Sequence, residues 1–242
     1  MHDIQMHEPS DDFARCWQSA GRHLQGQVQE GLSWLKADLA PPFLEHLSFR
    51  LGNQLFYIRL EDIDGGLAVP GNRGGLLTIA DGCQGHACLM PMRRRGTVWE
   101  PVLPSWGLVD LRTGAPLDPL TLVTNEQIEM TDWEVHDFAV QVVRDQLRGD
   151  GVQVMSTQGN PAVDPSLWFV GEDGPEWVVV RAHRHPAPPP PHPANWNAIA
   201  AGCARLSPRG HYIRVGVANA DDQSQPLWRG HGISVLANEN EA

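Results

Sequence analysis

The chain has 242 residues, 41% of them hydrophobic, and carries a formal net charge of −11 at pH 7. This length allows one large or two small domains with a buried core, and the apolar content excludes general disorder. Acidic residues outnumber basic residues in both halves, by 14 to 10 in residues 1–125 and by 15 to 8 in residues 126–242. Neither half therefore has the excess of lysine and arginine that phosphate-backbone binding needs, and the charge favours a basic partner instead.

Cellular location is indicated by what the sequence lacks. No apolar run of 18 residues occurs, so no transmembrane helix is predicted. The acidic N-terminal stretch has neither the basic region nor the apolar region of a signal peptide. The four cysteines form no CxxC pair, which fits a reducing compartment. We therefore expect a cytoplasmic protein.

An N-terminal α+β domain is predicted over residues 1–125. Residues 11–39 have apolar residues at helical spacing, and Pro41-Pro42 ends this predicted helix. Alternating apolar residues on both sides of Gly52-Asn53 predict a β-hairpin. The glycine-rich residues 64–75 match no phosphate-binding pattern and are predicted to be a solvent-exposed loop.

The rest of this half predicts mostly antiparallel strands. The apolar residues 76–80 and 86–92 are predicted to be buried strands, and Arg93 to Arg95 a solvated strand end. Two further strands are predicted on either side of Thr113-Gly114.

The second half opens with a helix and three strands. Thr131 and Glu134 form the pattern of a capping box, and an apolar stripe follows as far as the glycines at 149 and 151. Three strands and a second helix are then predicted, at 152–157, 166–171, 176–182 and 194–205, with a hairpin turn at residues 171–174 and an extended proline-rich spacer at 185–193. Strands at 211–219 and 227–237 and a polar tail from residue 238 complete the chain.

The order helix, three strands, helix, strand, with Asp164 opening the second strand and Arg181 ending the third, resembles a known nuclease core. It is similar to the αβββαβ core of the restriction-endonuclease-like superfamily, whose signature is PD-(D/E)XK, over about residues 131–219. The resemblance implies a restriction-endonuclease-like α/β domain in residues 126–242. It also implies a chemistry in which acidic groups hold Mg²⁺ and a lysine steadies the attacking water.

The residues of this implied centre are incomplete. Asp164 matches the aspartate of the second strand, and Glu134 or Asp137 could supply a helix-borne acid. Aligning the third strand with Arg181 at the lysine position places Val179 at the acid position, and shifting the frame to use Glu176 places a valine at the lysine position.

No lysine can fill that position, because the single lysine of the chain is Lys36. Arginine is no simple substitute, because its guanidinium stays protonated and holds its charge in a planar fork. The alternative interpretation is that Asp164 is a turn residue before a strand and Arg181 a surface or edge residue.

Three other groups were weighed as sites. Cys83, His86 and Cys88 could ligate a metal, but buried thiols and an ordinary histidine are favoured by their spacing. His183, His185 and His192 could do the same, with solvent-facing histidines favoured. The third group, which could form an exposed binding corner or a packed core beside a solvated loop, consists of Asp221, Asp222, Trp228 and Arg229.

These observations predict a non-catalytic, protein-binding protein without a cofactor. The acidic charge and the missing catalytic residues favour binding to a basic partner, and the chain is similar in general character to immunity proteins of bacterial polymorphic toxin systems. The expected partner is therefore a basic toxin domain, such as a nuclease delivered by a secretion system. The alternative is a Mg-dependent nuclease acting on DNA, with Asp164 and Glu176 as metal ligands, Glu134 as a helper and Arg181 in the lysine role. A small-molecule-binding or scaffold protein is a third possibility.

Overall fold

The protein divides into two compact units, which adjoin in sequence between Ile128 and Glu129. They are seen in a computed structural model that describes residues 8–42, 45–236 and 239–241. The fold is mixed α+β, and the chain begins with a helix followed by strands, as predicted. Residues 1–7, on which part of the signal-peptide prediction depends, lie outside the described residues. Every helix in the described part of the chain is too short or too polar to cross a lipid bilayer.

The N-terminal unit contains two helices and seven strands in its described residues. In chain order they are α1 (Asp11–Gln25), β1 (Leu32–Lys36), β2 (Leu47–Leu51), β3 (Gln54–Asp62), α2 (Arg73–Gly82), β4 (His86–Arg95), β5 (Val98–Pro101), β6 (Leu108–Asp110) and β7 (Pro116–Leu117), followed by a 3₁₀ helix at Pro119–Leu122.

These seven strands form one sheet in the order β1-β2-β3-β4-β6-β7, with β5 also paired to β4. The β3–β4 pair is parallel and the other pairs are antiparallel. The predicted hairpin at Gly52-Asn53 is confirmed, and Gly52 has the positive φ of 57° that this turn needs. The predicted strands around Thr113-Gly114 are confirmed as β6 and β7, and Arg93 to Arg95 form an exposed strand end.

Two predictions in this unit were wrong. The predicted helix over 11–39 ends at Gln25, and residues 32–36 form β1 instead, because they pair with β2. The apolar residues 76–80 are not a strand but lie in α2, whose N-cap Asn72 accepts a hydrogen bond from Gly75 N at 2.8 Å. A short apolar run has no periodicity that separates a buried strand from a helix, so the cap decides here.

The C-terminal unit contains two helices and six strands in its described residues. They are α3 (Asp132–Gly149), β8 (Gln153–Thr157), β9 (Leu167–Gly171), β10 (Gly174–Arg184), α4 (Trp196–Cys203), β11 (Gly210–Asn219), β12 (Ile233–Val235) and β13 (Glu239–Glu241).

The sheet of this unit has the order β12-β11-β10-β9-β8, with β13 also paired to β11. The β10–β11 pair is parallel and the other pairs are antiparallel. The predicted capping box is confirmed by reciprocal hydrogen bonds between Thr131 and Glu134, and the predicted turn at 171–174 joins β9 to β10. The last strand is shorter than predicted, and residues 239–241 of the predicted tail pair with β11, while residues 237, 238 and 242 lie outside the described residues.

Helices pack on both faces of this sheet. On one face, α3 buries Val140 and Val143 against the side chains of Val178 and Val180. On the other face, the α4 residues Ile199 and Cys203 pack with Trp177, Val179 and Tyr212. The successive residues of β10 therefore serve opposite cores, as the alternation of a strand requires.

The proline-rich residues 185–193 connect β10 to α4 outside any helix or strand. Tyr212 Oη donates hydrogen bonds to the carbonyl oxygens of Pro190 and Pro191, at 3.1 and 3.0 Å. The His192 ring packs against Tyr212 and Trp196, with ring centroids 5.1 and 4.6 Å apart. The connection is thereby held on the α4 face of the sheet.

Candidate functional site

Asp164 and Arg181 form a two-pronged ion pair at one end of the C-terminal sheet. Arg181 Nη1 and Nη2 donate to Asp164 Oδ1 and Oδ2 at 2.8 and 2.6 Å, and Nη1 also donates to the carbonyl of Val180 at 2.9 Å. The side chains are 12% exposed for Asp164 and 25% for Arg181. Both carboxylate oxygens are therefore bound by one guanidinium in a largely buried position.

The loop that carries Asp164 is fixed to β10 by Ser166, the residue directly before β9. Ser166 N donates to the carbonyl of Val178 at 2.8 Å, and Ser166 Oγ accepts from Val180 N at 3.1 Å. Ser166 is fully buried, so these bonds replace the strand ladder where β9 has not yet begun. They place Asp164 beside the end of β10, which carries Arg181.

His136, in the second turn of α3, lies in the electrostatic environment of this pair. Its side chain is 4% exposed, and Nε2 has no hydrogen-bond partner among the described residues. Burial, together with the positive charge of Arg181, lowers the pKa of His136 to about 4, while the charges of Asp137 and Asp164 act in the opposite direction. A neutral imidazole thus lies next to a closed ion pair at neutral pH.

Glu176 does not join this group. Its Oε2 lies 2.6 Å from His211 Nε2, and its Oε1 lies 3.8 Å from Arg209 Nη1. Glu176 and Arg181 are both on β10, five residues apart, which corresponds to roughly 16 Å along a strand. The structure therefore brings together Asp164 and Arg181 but not the two acids that the nuclease alternative assigned as metal ligands.

Glu134 contacts neither Asp164 nor Glu176 and has its own partners, Thr131 and Arg229. Its Oε2 accepts from Thr131 N at 2.8 Å, and its carboxylate forms a two-pronged ion pair with Arg229, both distances being 2.9 Å. Both side chains are buried, so Glu134 has a structural role at the start of α3. The role of nuclease helper has no support from this geometry.

The proposed binding corner is only partly exposed. Asp221 and Asp222 are exposed, and Asp222 accepts hydrogen bonds from the backbone and hydroxyl of Ser224, which lower its pKa. Trp228 is half-buried, and Arg229 is 7% exposed. Arg229 is thus unavailable to a partner, because its guanidinium is buried with Glu134.

The two histidine groups weighed as metal sites lie in ordinary surroundings. Cys83 and Cys88 are buried thiols, as favoured, and His86 Nε2 lies 3.2 Å from Gln54 Oε1. His185 and His192 are exposed, as favoured, whereas His183 is half-buried. The His192 ring packs against Trp196 and Tyr212. Within residues 8–42, 45–236 and 239–241, no three His, Cys, Asp or Glu side chains are grouped so that they could hold a metal ion.

The sequence analysis did not identify His136 as a candidate, nor Arg229 and His211 as the partners of Glu134 and Glu176. His136 occupies an apolar position on the stripe of α3, and a titratable residue at such a position is a signal that could have marked it. No comparable signal links Glu134 to Arg229, which are far apart in the sequence.

Comparison with known proteins gives one match. A family model described as "Domain of unknown function (DUF8840)" matches residues 133–239, from the first turn of α3 into β13. No curated protein and no solved structure matches the chain. The match therefore falls entirely within the C-terminal unit.

Proposed function

We propose that this protein is a non-catalytic, protein-binding protein whose C-terminal half is a restriction-endonuclease-like αβββαβ core without a working nuclease centre. The observation that carries the proposal is the separate pairing of the acids. Asp164 is closed by Arg181, and Glu176 faces His211 at the far end of the same strand.

The chemistry of the ion pair opposes metal binding. Mg²⁺ needs open carboxylate oxygens at close range, and both oxygens of Asp164 already accept hydrogen bonds from Arg181. The guanidinium carries a positive charge, so it would also repel the cation. This supports a binding role over a nuclease role.

The charge of the chain supports a basic protein as the partner. A net charge of −11 produces a field that attracts a cationic surface and speeds association with it. We propose a cytoplasmic bacterial immunity protein that covers the cationic cleft of a toxin, such as a nuclease delivered by a secretion system. Asp221 and Asp222 are the exposed acids of the binding corner and are candidates for contact with the toxin.

Co-expression with the toxin encoded by the adjacent gene tests this function. We expect growth to be rescued, the two purified proteins to form a stoichiometric complex, and the association rate to fall steeply as salt is raised. An Asp221→Asn, Asp222→Asn variant should associate more slowly, whereas Asp145→Asn, at an exposed acid on α3, serves as the matched control. Failure of rescue together with failure of complex formation would overturn the proposal.

The alternative, a Mg-dependent nuclease of the PD-(D/E)XK type, rests on the sequence positions of Asp164 and Arg181, which match an aspartate and the lysine position of the signature. It predicts nicking of supercoiled plasmid DNA with Mg²⁺ or Mn²⁺ that Asp164→Ala abolishes. We expect no cleavage by the purified protein with either metal. Cleavage that persists through purification and disappears in Asp164→Ala would establish the alternative.

A further inference from the structure

The two units have the same order of elements. Each begins with a helix, continues with three antiparallel strands and a short helix, and then adds a strand parallel to the third. The sheet orders β1-β2-β3-β4 and β8-β9-β10-β11 correspond strand by strand. In both units a further antiparallel strand, β6 or β12, pairs with the outer side of the parallel strand.

The residues of the parallel pairs correspond in register and in face. In the N-terminal unit, β3 buries Phe56, Ile58 and Leu60 in the core that includes α1, and Phe56 is level with His86 of β4. In the C-terminal unit, β10 places Val178, Val180 and Ala182 in the core that includes α3, and Val178 is level with His211 of β11. Aligning the buried faces therefore also aligns the two histidines, which were not used to make the alignment.

A Gly-His dipeptide opens the parallel strand in both units. Gly85 directly precedes β4, whose first residue is His86. Gly210 and His211 are the first two residues of β11. His86 Nε2 lies 3.2 Å from Gln54 Oε1, and His211 Nε2 lies 2.6 Å from Glu176 Oε2. Under the same alignment Gln54 corresponds to Glu176, so the same cross-strand contact occurs twice with an amide in one unit and a carboxylate in the other.

The two glycines also lie close to the neighbouring strand. A Cβ at Gly85 would lie 2.9 Å from Tyr57 Cε2 and 3.0 Å from the carbonyl oxygen of Leu55, and a Cβ at Gly210 would overlap the ring of Trp177, 2.2 Å away. Leu55 directly follows Gln54, and Trp177 directly follows Glu176, so one of the hindering residues is equivalent in the two units. Close approach of the strands favours glycine at both points, and the hindrance is greater at Gly210.

The short helices repeat in sequence as well. Helix α2 and its C-cap read Ile-Ala-Asp-Gly-Cys at 79–83, and α4 reads Ile-Ala-Ala-Gly-Cys at 199–203. The cysteine is buried in both, and the exposed third position is the one that differs. The first helices share one run of buried residues, and α3 buries Glu134 and Val135 in addition. The shared run consists of Phe13, Cys16, Trp17 and Ala20 in α1 and of His136, Ala139, Val140 and Val143 in α3.

From these correspondences we infer that the chain is a tandem duplication, and that the N-terminal unit is a second copy of the domain that the family model matches at residues 133–239. Topology, register, a side-chain contact and a five-residue sequence agree on one alignment. Independent origins would not be expected to produce agreement at all four levels.

The alignment separates what belongs to the scaffold from what is special to one copy. The αβββαβ order is a property of both units, so the resemblance to nucleases rests on Asp164 and Arg181 alone. Arg59 corresponds to Arg181, but it donates to the backbone carbonyls of Val69 and Pro70. The C-terminal copy has His136 where the N-terminal copy has Phe13, so its polar cluster of His136, Asp164 and Arg181 is an addition to the shared fold.

Matched glycine substitutions in the full chain test the inference independently of any partner. We expect Gly85→Ala to reduce amide hydrogen-exchange protection within residues 8–128, and Gly210→Ala to reduce it within residues 129–236. Gly21→Ala and Gly202→Ala, at helical positions where a Cβ meets nothing within 4 Å, should not lower protection in their units and should raise it slightly, because alanine favours a helix over glycine. Equal tolerance of Gly85→Ala and Gly21→Ala would contradict the equivalence of the two glycines.

A crystal structure of the unmodified chain gives the second readout and does not depend on any variant folding. Superposing β2, β3, α2 and β4 on β9, β10, α4 and β11 should place Gln54 on Glu176 and His86 on His211. A superposition that pairs other residues at these positions would overturn the duplication. Neither outcome bears on whether a toxin is bound, so this inference and the proposed function fail separately.

Discussion

Arg229 and Glu134 form an ion pair inside the C-terminal unit, with two N–O distances of 2.9 Å and exposed side-chain fractions of 2% and 8%. Arg229 comes from the segment between β11 and β12, and Glu134 from the first turn of α3. The same segment is tied to the start of α3 by Met130 N, which donates to the carbonyl of Leu227 at 2.8 Å. A buried pair therefore couples the first helix of the unit to its last strands.

Replacing Arg229 with alanine should be severely destabilising. It leaves the carboxylate of Glu134 buried without its counter-ion, and breaking such a pair typically costs about 3–5 kcal/mol of the free energy of unfolding. Urea unfolding followed by circular dichroism measures the loss. The control is Arg15→Ala, which removes a solvent-screened pair with Asp12 and should cost far less. Similar costs for the two variants would contradict the burial of the pair.

The ion pair of Asp164 and Arg181 should appear as a coupling energy. In a double-mutant cycle of Asp164→Asn and Arg181→Met, we expect the two changes to be non-additive by about 1–3 kcal/mol, because each single variant strands a largely buried partner. Arg144→Met with Asp145→Asn is the comparison cycle at a pair whose carboxylate is 59% exposed, so the coupling should be smaller. Additive effects at Asp164 and Arg181 would show that the two side chains do not interact in solution.

His136 should make stability depend on pH. Its folded-state pKa of about 4 lies below the ordinary value of 6.5, so the unfolded chain takes up the proton first. The stabilisation is complete above pH 6.5 and is lost as pH falls from 6.5 towards 4, by about 3 kcal/mol in total.

The variant His136→Leu isolates this contribution. Unfolding free energies of the two proteins are measured between pH 7 and pH 4, and their difference removes the effect of the carboxylates. We expect the unfolding free energy of the leucine variant to rise steadily relative to that of the natural protein as the pH is lowered. A difference that does not change with pH would mean that His136 titrates normally in the folded state.

The thiols should be unreactive until the protein unfolds. All four cysteines are buried. Burial raises the pKa of Cys16 to about 12 and also raises the pKa values of Cys88 and Cys203, so the reactive thiolate is scarce at pH 8. Titration with a coloured disulfide reagent should detect none of the thiols in the native protein within minutes and all four in denaturant. Rapid reaction of one native thiol would contradict this.

Local signals predicted much of the fold. The turn at Gly52-Asn53, the capping box of Thr131 and Glu134, and the turn at residues 171–174 each depend on a few neighbouring residues, and each is present. Such features can be predicted because their hydrogen bonds close within a few residues of the chain.

The wrong predictions concern segments whose structure depends on contacts with distant parts of the chain. Residues 32–36 have apolar positions that fit a helix, but pairing with β2 makes them a strand. Residues 76–80 fit a strand, but the cap at Asn72 and packing on the sheet make them helical. Tertiary contacts decide the outcome where the local pattern allows two structures.

The candidate site also has a part that could be predicted from the sequence and a part that could not. The sequence placed Asp164 and Arg181 at corresponding strand ends, and the structure joins them. It could not indicate that Arg229 would be the partner of Glu134, because that contact depends on how the last segment returns to α3. Nor could it indicate that His136 would be buried beside charges.

The proline-rich connection has a mechanical consequence. Residues 185–187 form a turn closed by a hydrogen bond from Ala187 N to the carbonyl of Arg184, and the prolines at 188–191 follow it. A run of prolines stays extended without internal hydrogen bonds, so these four residues do not depend on Tyr212 for their shape. Tyr212 decides where they lie, through its contacts with Pro190 and Pro191. If those contacts were removed, the prolines would remain extended but would no longer be held on the α4 face of the sheet.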